Sequence, residues 1–455
     1  MRGPWRAGYP ARPASERCAY TYPKHPMGAG SLIDSYYEAS TQRPPERAEL
    51  SGTLDCDVCV IGAGIAGCSA ALHLAERGYR VILLEEHRVG WGASGRSGGQ
   101  ILPGLAAHPS KLRQLIGPAA TRAVWDVSVE GVRLLRERIA THRIACDWVD
   151  GHMLVALKRS HDRELHAEIE ELRSQYGYGG VRYMAREEVR SLIDSERYTA
   201  ALYDSNAGHL HPLNYTLGLA AAAERAGVAI FESTRALALS PATPGQPGQV
   251  RTARGAIRAR FTVLCGNAYL GALAPELRSK IMGVSTYMVA TEPLAEKRAQ
   301  RLIVNNAAIS DMNWVLDYFR LSADRRLLFG GRVNYSDLAS FDAPGATRKR
   351  MLRVFPHLAD VRIQYAWGGS VDITLNRAPH FGRLAPNVYF LQGFSGQGLA
   401  LAGVAGKLIA EAVAGTAERF DVFAAIPHGN FPGGTLLRRP LLVLAMLYYR
   451  LKDLL

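Results

Sequence analysis

The chain has 455 residues, 48% of them hydrophobic, and its 54 Lys and Arg against 41 Asp and Glu give a formal charge of +13. That length exceeds what one hydrophobic core usually fills, so two or three domains are expected. The basic residues are dispersed, without helix-turn-helix or zinc-finger spacing, which argues against a nucleic-acid partner. No run of about 18 apolar residues is present, which argues against a spanning helix.

In chain order, residues 1–54 read as an arm punctuated by prolines, with no secretory apolar core. Within it, IDSYYEAS (33–40) reads as a short helix or an aromatic anchor. A buried strand follows at 57–61, then a helix at 65–78 closed by Gly78, then a second strand at 79–85. Helical periodicity covers 111–140, and CDWVDGHMLVAL (146–157) reads as two short strands around a turn. Helices are expected at 161–177 and 213–227. PATPGQPGQ (241–249) marks a hairpin tip, and 257–271 brings a strand into a glycine corner. Residues 283–333, rich in aromatic and β-branched types, suit antiparallel strands. A helix at 346–355, a strand at 362–369, a strand leading into another glycine loop over 387–398, and a small-residue helix at 399–415 complete the series.

Six cysteines do not make a disulfide scaffold. Cys56 and Cys59 form a CxxC, but on a strand they point to opposite faces, so neither a redox pair nor a metal site is expected. A reducing, cytoplasmic location fits this usage.

The stretch CVIGAGIAGCSAALHLAERGYRVILLEE opens at Cys59 and carries a strand–loop–helix–strand unit of the dinucleotide-binding kind. Gly62 permits the tight turn, Gly64 lets backbone approach a pyrophosphate, and Gly67 lets helix and strand pack closely. The helix start at Ile65 and Ala66 offers N–H groups to phosphate. Glu85, with Glu86 as its rival, can accept from ribose hydroxyls. RVGWGASGRSGGQ (88–100) follows as a second cradle. Ser94, Ser97, Gly98, Gly99 and Gln100 are its contact candidates, and Arg88 and Arg96 are placed to neutralise phosphate. A flavin needs such a loop to carry its ring towards a substrate domain, so FAD is favoured over NAD.

The motifs DVCVIGAGIAGCSAALHLAERGYRVILLE, VGWGASGRSGGQ, YFRLSADRRLLFGGRVNY, WGGSVDITLNRAPHFGRL and GFSGQGLALAGVAGKLIAEAV resemble the FAD-dependent D-amino-acid oxidase superfamily over roughly 33–455. Within it they are most similar to the gamma-glutamylputrescine oxidoreductases and related secondary-amine oxidases. The resemblance implies a mixed α/β fold, a Rossmann-like FAD-binding domain interleaved with an antiparallel-sheet substrate domain. The FAD domain is expected from 55–140, 205–280 and 361–426, the substrate domain from 141–204 and 281–360, and a helical tail from 427–455.

By the same resemblance, Cys265, Gly266 and Asn267 meet the adenosine half of FAD, and Ala236, beside Arg235, contacts adenine through backbone. Asp372 lies close to FAD. Gly393, Gly396, Gln397 and Gly398 contact the flavin, and the helix after them aims its N-terminus at the C2 carbonyl. GFSGQGLA has no cysteine, so attachment is expected to be non-covalent; Gln397 stands where a histidine is common. The implied reaction oxidises a C–N bond of an amine by hydride transfer, with O2 or a quinone reoxidising the flavin. Trp367, Tyr318 and Trp314 are candidates to line the flavin face, His380 lies in a family motif, and Arg320 is the candidate clamp for a substrate carboxylate. Alternatives are a sarcosine-like or D-amino acid substrate, a tRNA-modifying flavoenzyme, or a non-enzymatic FAD-binding protein. The tail PLLVLAMLYYRLKDLL (440–455) suggests a helix packed on the FAD domain, a homodimer surface or a weak peripheral membrane contact.

Overall fold

The computed structural model describes residues 34–334 and 342–432. The strand Gly52–Ile61 is buried on both faces from Val58 onwards, because Val58, Cys59 and Val60 have no polar side to show to water. It pairs in parallel with Gly255–Leu264 on one side and Val81–Leu84 on the other. Ala229–Phe231 extends the sheet beyond Val81–Leu84, while Val388–Gln392 and the antiparallel His380–Ala385 extend it beyond Gly255–Leu264. The hairpin Ala238–Ser240 and Gly248–Arg251 carries the expected turn-rich tip and joins the sheet through Gly255–Leu264.

The helix Ile65–Ala75 covers one face of this sheet and packs on the helix Leu399–Val413. Both are apolar nearly all round, as helices buried between layers are. Small residues set the close crossing: Ser69 Oγ donates to Gly403 O at 2.6 Å, and a Cβ on Gly406 would lie 2.5 Å from Ala70 N.

The second sheet runs Ile363–Ile373, Met282–Thr291, Leu327–Asn334, Tyr318–Leu321, Ala308–Asp311, Val149–Ala156, Ala200–His209 and Gln100–Ile101. It is antiparallel except where Ala308–Asp311 runs parallel to Val149–Ala156, a departure from the all-antiparallel expectation. Val149–Ala156 is one strand rather than two, and it pairs with Ala200–His209, which the sequence pattern did not announce. Ile363–Ile373, expected beside the nucleotide-binding elements, pairs along Met282–Thr291 in the second sheet. The long helix Pro109–His142 breaks at Gly117, whose φ of 80° leaves the helical region just before Pro118 restarts it. Tyr36–Ser40 is both a short helix and an anchor, with Tyr36 and Tyr37 buried. Among the described residues no single helix is long and apolar enough to cross a membrane. Residues 440–455, on which the tail expectations rest, lie outside the described residues.

The arm is tied down by a charge. Glu232 is fully buried and accepts from Val89 N at 2.7 Å, Arg47 N at 2.9 Å and Arg88 Nε at 2.9 Å. Arg88 also donates to Pro44 O at 3.0 Å, so its guanidinium fastens the arm and is not placed at a phosphate as its position in the loop suggested. Removing one partner of a buried ion pair strands the other charge. Glu232→Ala is therefore expected to lower unfolding stability by about 3–5 kcal/mol, measured by urea denaturation.

Candidate functional site

A cavity of about 1000 Å³ opens at the C-terminal ends of the parallel strands, where Ile61, Leu84 and Cys265 line its wall. Gly62, Gly64, Ile65 and Ala66 form one side. Gly62 has φ 102°, and a Cβ on Gly67 would fall 1.9 Å from Gly62 O. Gly67 therefore packs the helix against the loop and leaves the wall to its neighbours. Gly64 caps the helix without a side chain, so the following N–H groups stay directed towards the cavity end. One of them, Ile65 N, donates to Ser94 Oγ at 3.0 Å, joining the two glycine loops.

Glu85 stands at the strand end beyond. Its carboxylate accepts from Ala63 N at 2.7 Å and His87 N at 3.0 Å. Surrounding protein pushes the carboxyl up to about 7 although part of its surface remains open in the cavity. Desolvation is the larger influence and the backbone N–H groups oppose it. Glu86 also lines the wall, 3.5 Å from Arg235. Ala236, Gly266 and Asn267 complete this end.

Ser94, Ser97, Gly98, Gly99 and Gln100 line the cavity along the second loop. Gln100 Nε2 donates to Ile309 O at 2.9 Å, which fixes that side chain to the second sheet. Arg96 is buried outside the wall: its Nε donates to Trp91 O at 2.7 Å and its guanidinium lies 4.1 Å from the Trp91 ring centroid. It stiffens the loop from behind, where the sequence suggested a phosphate contact.

At the far end Gly396, Gln397 and Gly398 line the wall, and Gly398 caps the helix Leu399–Val413 with no side-chain bond. A second open helix N-terminus thus faces the cavity. Asp372 also lines it and accepts from Gly393 N, while Asn267 Oδ1 accepts from the same N–H at 3.3 Å. Burial raises the Asp372 carboxyl to about 6. Gly393 stands behind the wall, at φ 76° in the turn that delivers the loop.

Among the substrate candidates, Tyr318 and Trp314 line the cavity. The Tyr318 ring packs so closely that a Cβ on Gly98 would lie 2.7 Å from its Cε2. Trp367 does not reach the wall: it is buried, donates from Nε1 to Arg96 O at 3.0 Å and meets the Tyr37 ring edge-on at 5.2 Å. Its role is packing beneath the loop. His380 also lies outside the wall, bonded to Gln392 Nε2 at 3.0 Å with its ring 4.3 Å from His428. Burial pushes it down to about 3, so it is neutral near pH 7.

Arg320 is not a carboxylate clamp. It is buried, and its donors reach Gly98 O at 2.8 Å, Leu210 O at 2.9 Å, Tyr37 OH at 3.1 Å and Leu321 O at 3.2 Å. Sequence reasoning missed Met282, Val284 and Thr286, which line the cavity from one strand. Their alternation along MGVST (282–286) is the period-2 signal that would have found them. It also missed the wall residues His108 and Lys111, which carry no motif.

The donor set fits FAD. Two helix N-termini and glycine backbone suit a pyrophosphate and an electron-rich ring edge, and Glu85 suits ribose hydroxyls. Cys265 is the cysteine in the wall, and burial raises its thiol to about 12, which suppresses the nucleophilic thiolate that attachment would require. Glu85→Ala is expected to weaken FAD binding by about ten- to a hundredfold, read by fluorescence titration of the apoprotein. Arg320→Met is expected to lower the melting temperature while changing KM equally for amines with and without a carboxylate; a selective loss for the carboxylate-bearing amines would restore the clamp.

The family model described as FAD dependent oxidoreductase (DAO) matches residues 57–412. The gamma-glutamylputrescine oxidoreductase of Escherichia coli (strain K12) is 40% identical over 423 residues, covering 92% of this chain and 98% of that protein. The probable oxidoreductase OrdL of Haemophilus influenzae is 39% identical, covering 92% of this chain and 97% of its own. Among solved structures, glycine oxidase from Geobacillus kaustophilus superposes with a TM-score of 0.67 at 19% identity, over 79% of this chain and 95% of that one. L-amino acid deaminase from Proteus vulgaris does so with 0.68 at 17%, over 83% and 99%. The two structures share the fold; the family follows from the match over most of the chain and from relatives aligned nearly end to end. The chain belongs to the DAO family of FAD-dependent oxidoreductases and binds FAD non-covalently.

Proposed function

We propose that this enzyme oxidises a C–N bond of an aliphatic amine, with γ-glutamylputrescine the leading substrate. The observation that carries the reading is the near end-to-end alignment, at 40% identity, with a gamma-glutamylputrescine oxidoreductase. When bound, FAD supplies acceptance of a hydride equivalent from the carbon beside nitrogen. The chain's own part is to hold and shield. Glu85 and the 62–67 loop anchor the nucleotide half, with Gly266 and Ala236 against its adenosine. The 94–100 loop and the 396–398 turn hold the ring half, and the N-terminus of Leu399–Val413 favours negative charge there. Tyr318 and Thr286, from the second sheet, face the substrate space and exclude water. The oxidised product is an imine, which water hydrolyses to an aldehyde and, from a primary amine such as γ-glutamylputrescine, ammonia. The parallel-sheet half then serves as the cofactor domain and the mixed-sheet half as the substrate domain.

Arg320, engaged with carbonyl groups, is not available to clamp the carboxylate of a sarcosine-like or D-amino acid substrate. Oxygen is the proposed acceptor, giving hydrogen peroxide, with a quinone the alternative. Among the described residues, five cysteines are buried free thiols, which suits a reducing compartment, and we place the enzyme in the cytoplasm.

The test is anaerobic flavin bleaching by γ-glutamylputrescine, sarcosine and D-alanine, followed by comparison of peroxide yield with dye reduction. Fast bleaching by γ-glutamylputrescine and stoichiometric peroxide are expected. Bleaching by sarcosine or D-alanine alone overturns the substrate, and dye reduction without peroxide overturns the acceptor.

A further inference from the structure

A second chamber of about 260 Å³ adjoins the main cavity and shares Leu102, Ala107, His108, Ser310 and Gln397 with its wall. Its chemistry differs from that of the cofactor cavity. One side is aromatic: the Trp125 ring stands 4.9 Å from that of Tyr176 and 5.5 Å from that of Tyr178. The other is acidic, with Glu168, Glu171 and Asp204.

The three carboxyls are not equivalent. Asp204 accepts from Tyr178 OH at 2.9 Å and from Asn206 N at 2.9 Å. Glu171 is paired with Arg113 at 2.9 Å. Glu168 has no hydrogen-bond or ion-pair partner among the described residues. It is exposed and lines the chamber, and its carboxyl is raised from its ordinary value. Desolvation leads that rise, and the like charges of Glu171 and Glu164 add to it. His152, in the same wall, is neutral, since burial pushes it down to about 3. The chamber therefore offers an uncompensated carboxyl and π-faces, which together suit an organic ammonium group.

We propose that this side chamber takes the ammonium end of the substrate distal to the bond being oxidised, with Glu168 as its counter-ion and the Trp125, Tyr176 and Tyr178 rings as its wall. The inference rests on the amine reading above and deepens it. It makes Glu168 a specificity residue that selects amines bearing a second positive charge. The two spaces share wall residues, and this binding requires one chain-like molecule to occupy both.

The experiment compares γ-glutamylputrescine with N-glutarylputrescine, which lacks only the α-ammonium, by anaerobic flavin bleaching in the wild type, Glu168→Gln and Glu168→Asp. The wild type is expected to reach half-saturation at about tenfold lower concentration of the ammonium-bearing amine. Glu168→Gln is expected to erase that preference by raising the half-saturation concentration for γ-glutamylputrescine, and Glu168→Asp to restore part of it. Equal half-saturation of the wild type by the two amines overturns the inference, and this arm holds even if a variant loses flavin. A Glu168→Gln effect equal for both amines also overturns it, as a merely structural role. Wild-type flavin that neither amine bleaches, in a preparation with full FAD, overturns the amine reading and this inference with it.

Discussion

One buried guanidinium, that of Arg320, holds together the parts from which the cavity is made. It binds the carbonyl of Gly98 in the second glycine loop, the carbonyl of Leu210 where a strand turns into a helix, and the hydroxyl of Tyr37 in the arm. No ion pair offsets its charge among the described residues. A cation satisfied only by neutral oxygens is expensive to bury unless each donor is well directed. The fork geometry of arginine meets that demand and lysine would not. The loop is also held from behind by Arg96 on Trp91 and by Trp367 on Arg96 O. The residues that touch the cavity are thus small and backbone-rich, while the charged and aromatic ones stand one layer back.

The cavity's electrostatics follow from where it lies. Parallel strands deliver their C-terminal ends to one edge, and the helices that follow present N-termini to the same edge. Glu85 and Asp372 are the carboxyls among these N–H groups, and both are raised by desolvation despite the hydrogen bonds they accept. Groups poised in this way can hold hydroxyl and ring N–H partners without placing a full repulsive charge beside a pyrophosphate.

The glycine loop was legible in the sequence because the constraint there is the absence of a side chain. Gly67 against Gly62 O leaves no room for any other residue, so the identity records the geometry. At Gly396 the constraint is instead a φ of 96°, and the flanking strands announce burial on both faces by their continuous apolar runs. The destinations of long polar side chains were not legible. Arg88 finds Glu232, 144 positions away, and Arg320 finds Gly98, 222 away. Nothing local marks such partners, so both arginines invite an assignment to the ligand. Ala200–His209 escaped for a related reason: its buried Asp204 breaks the apolar alternation, and only the tertiary bond from Tyr178 explains it. The parallel pairing of Ala308–Asp311 with Val149–Ala156 rests on a four-residue strand, too short to carry a register signal of its own.

The tethering of the arm has a consequence for the order in which the nascent chain can fold. Tyr37 leaves the ribosome well before its hydroxyl partner Arg320 and its ring partner Trp367 are made. Gly52–Ile61 likewise waits for Gly255–Leu264 to close its second edge. At synthesis rates of about 5–20 residues per second, these early segments stay unpaired for on the order of ten seconds or more. Gly52–Ile61, apolar from Val58 onwards, then keeps one strand edge open over that interval.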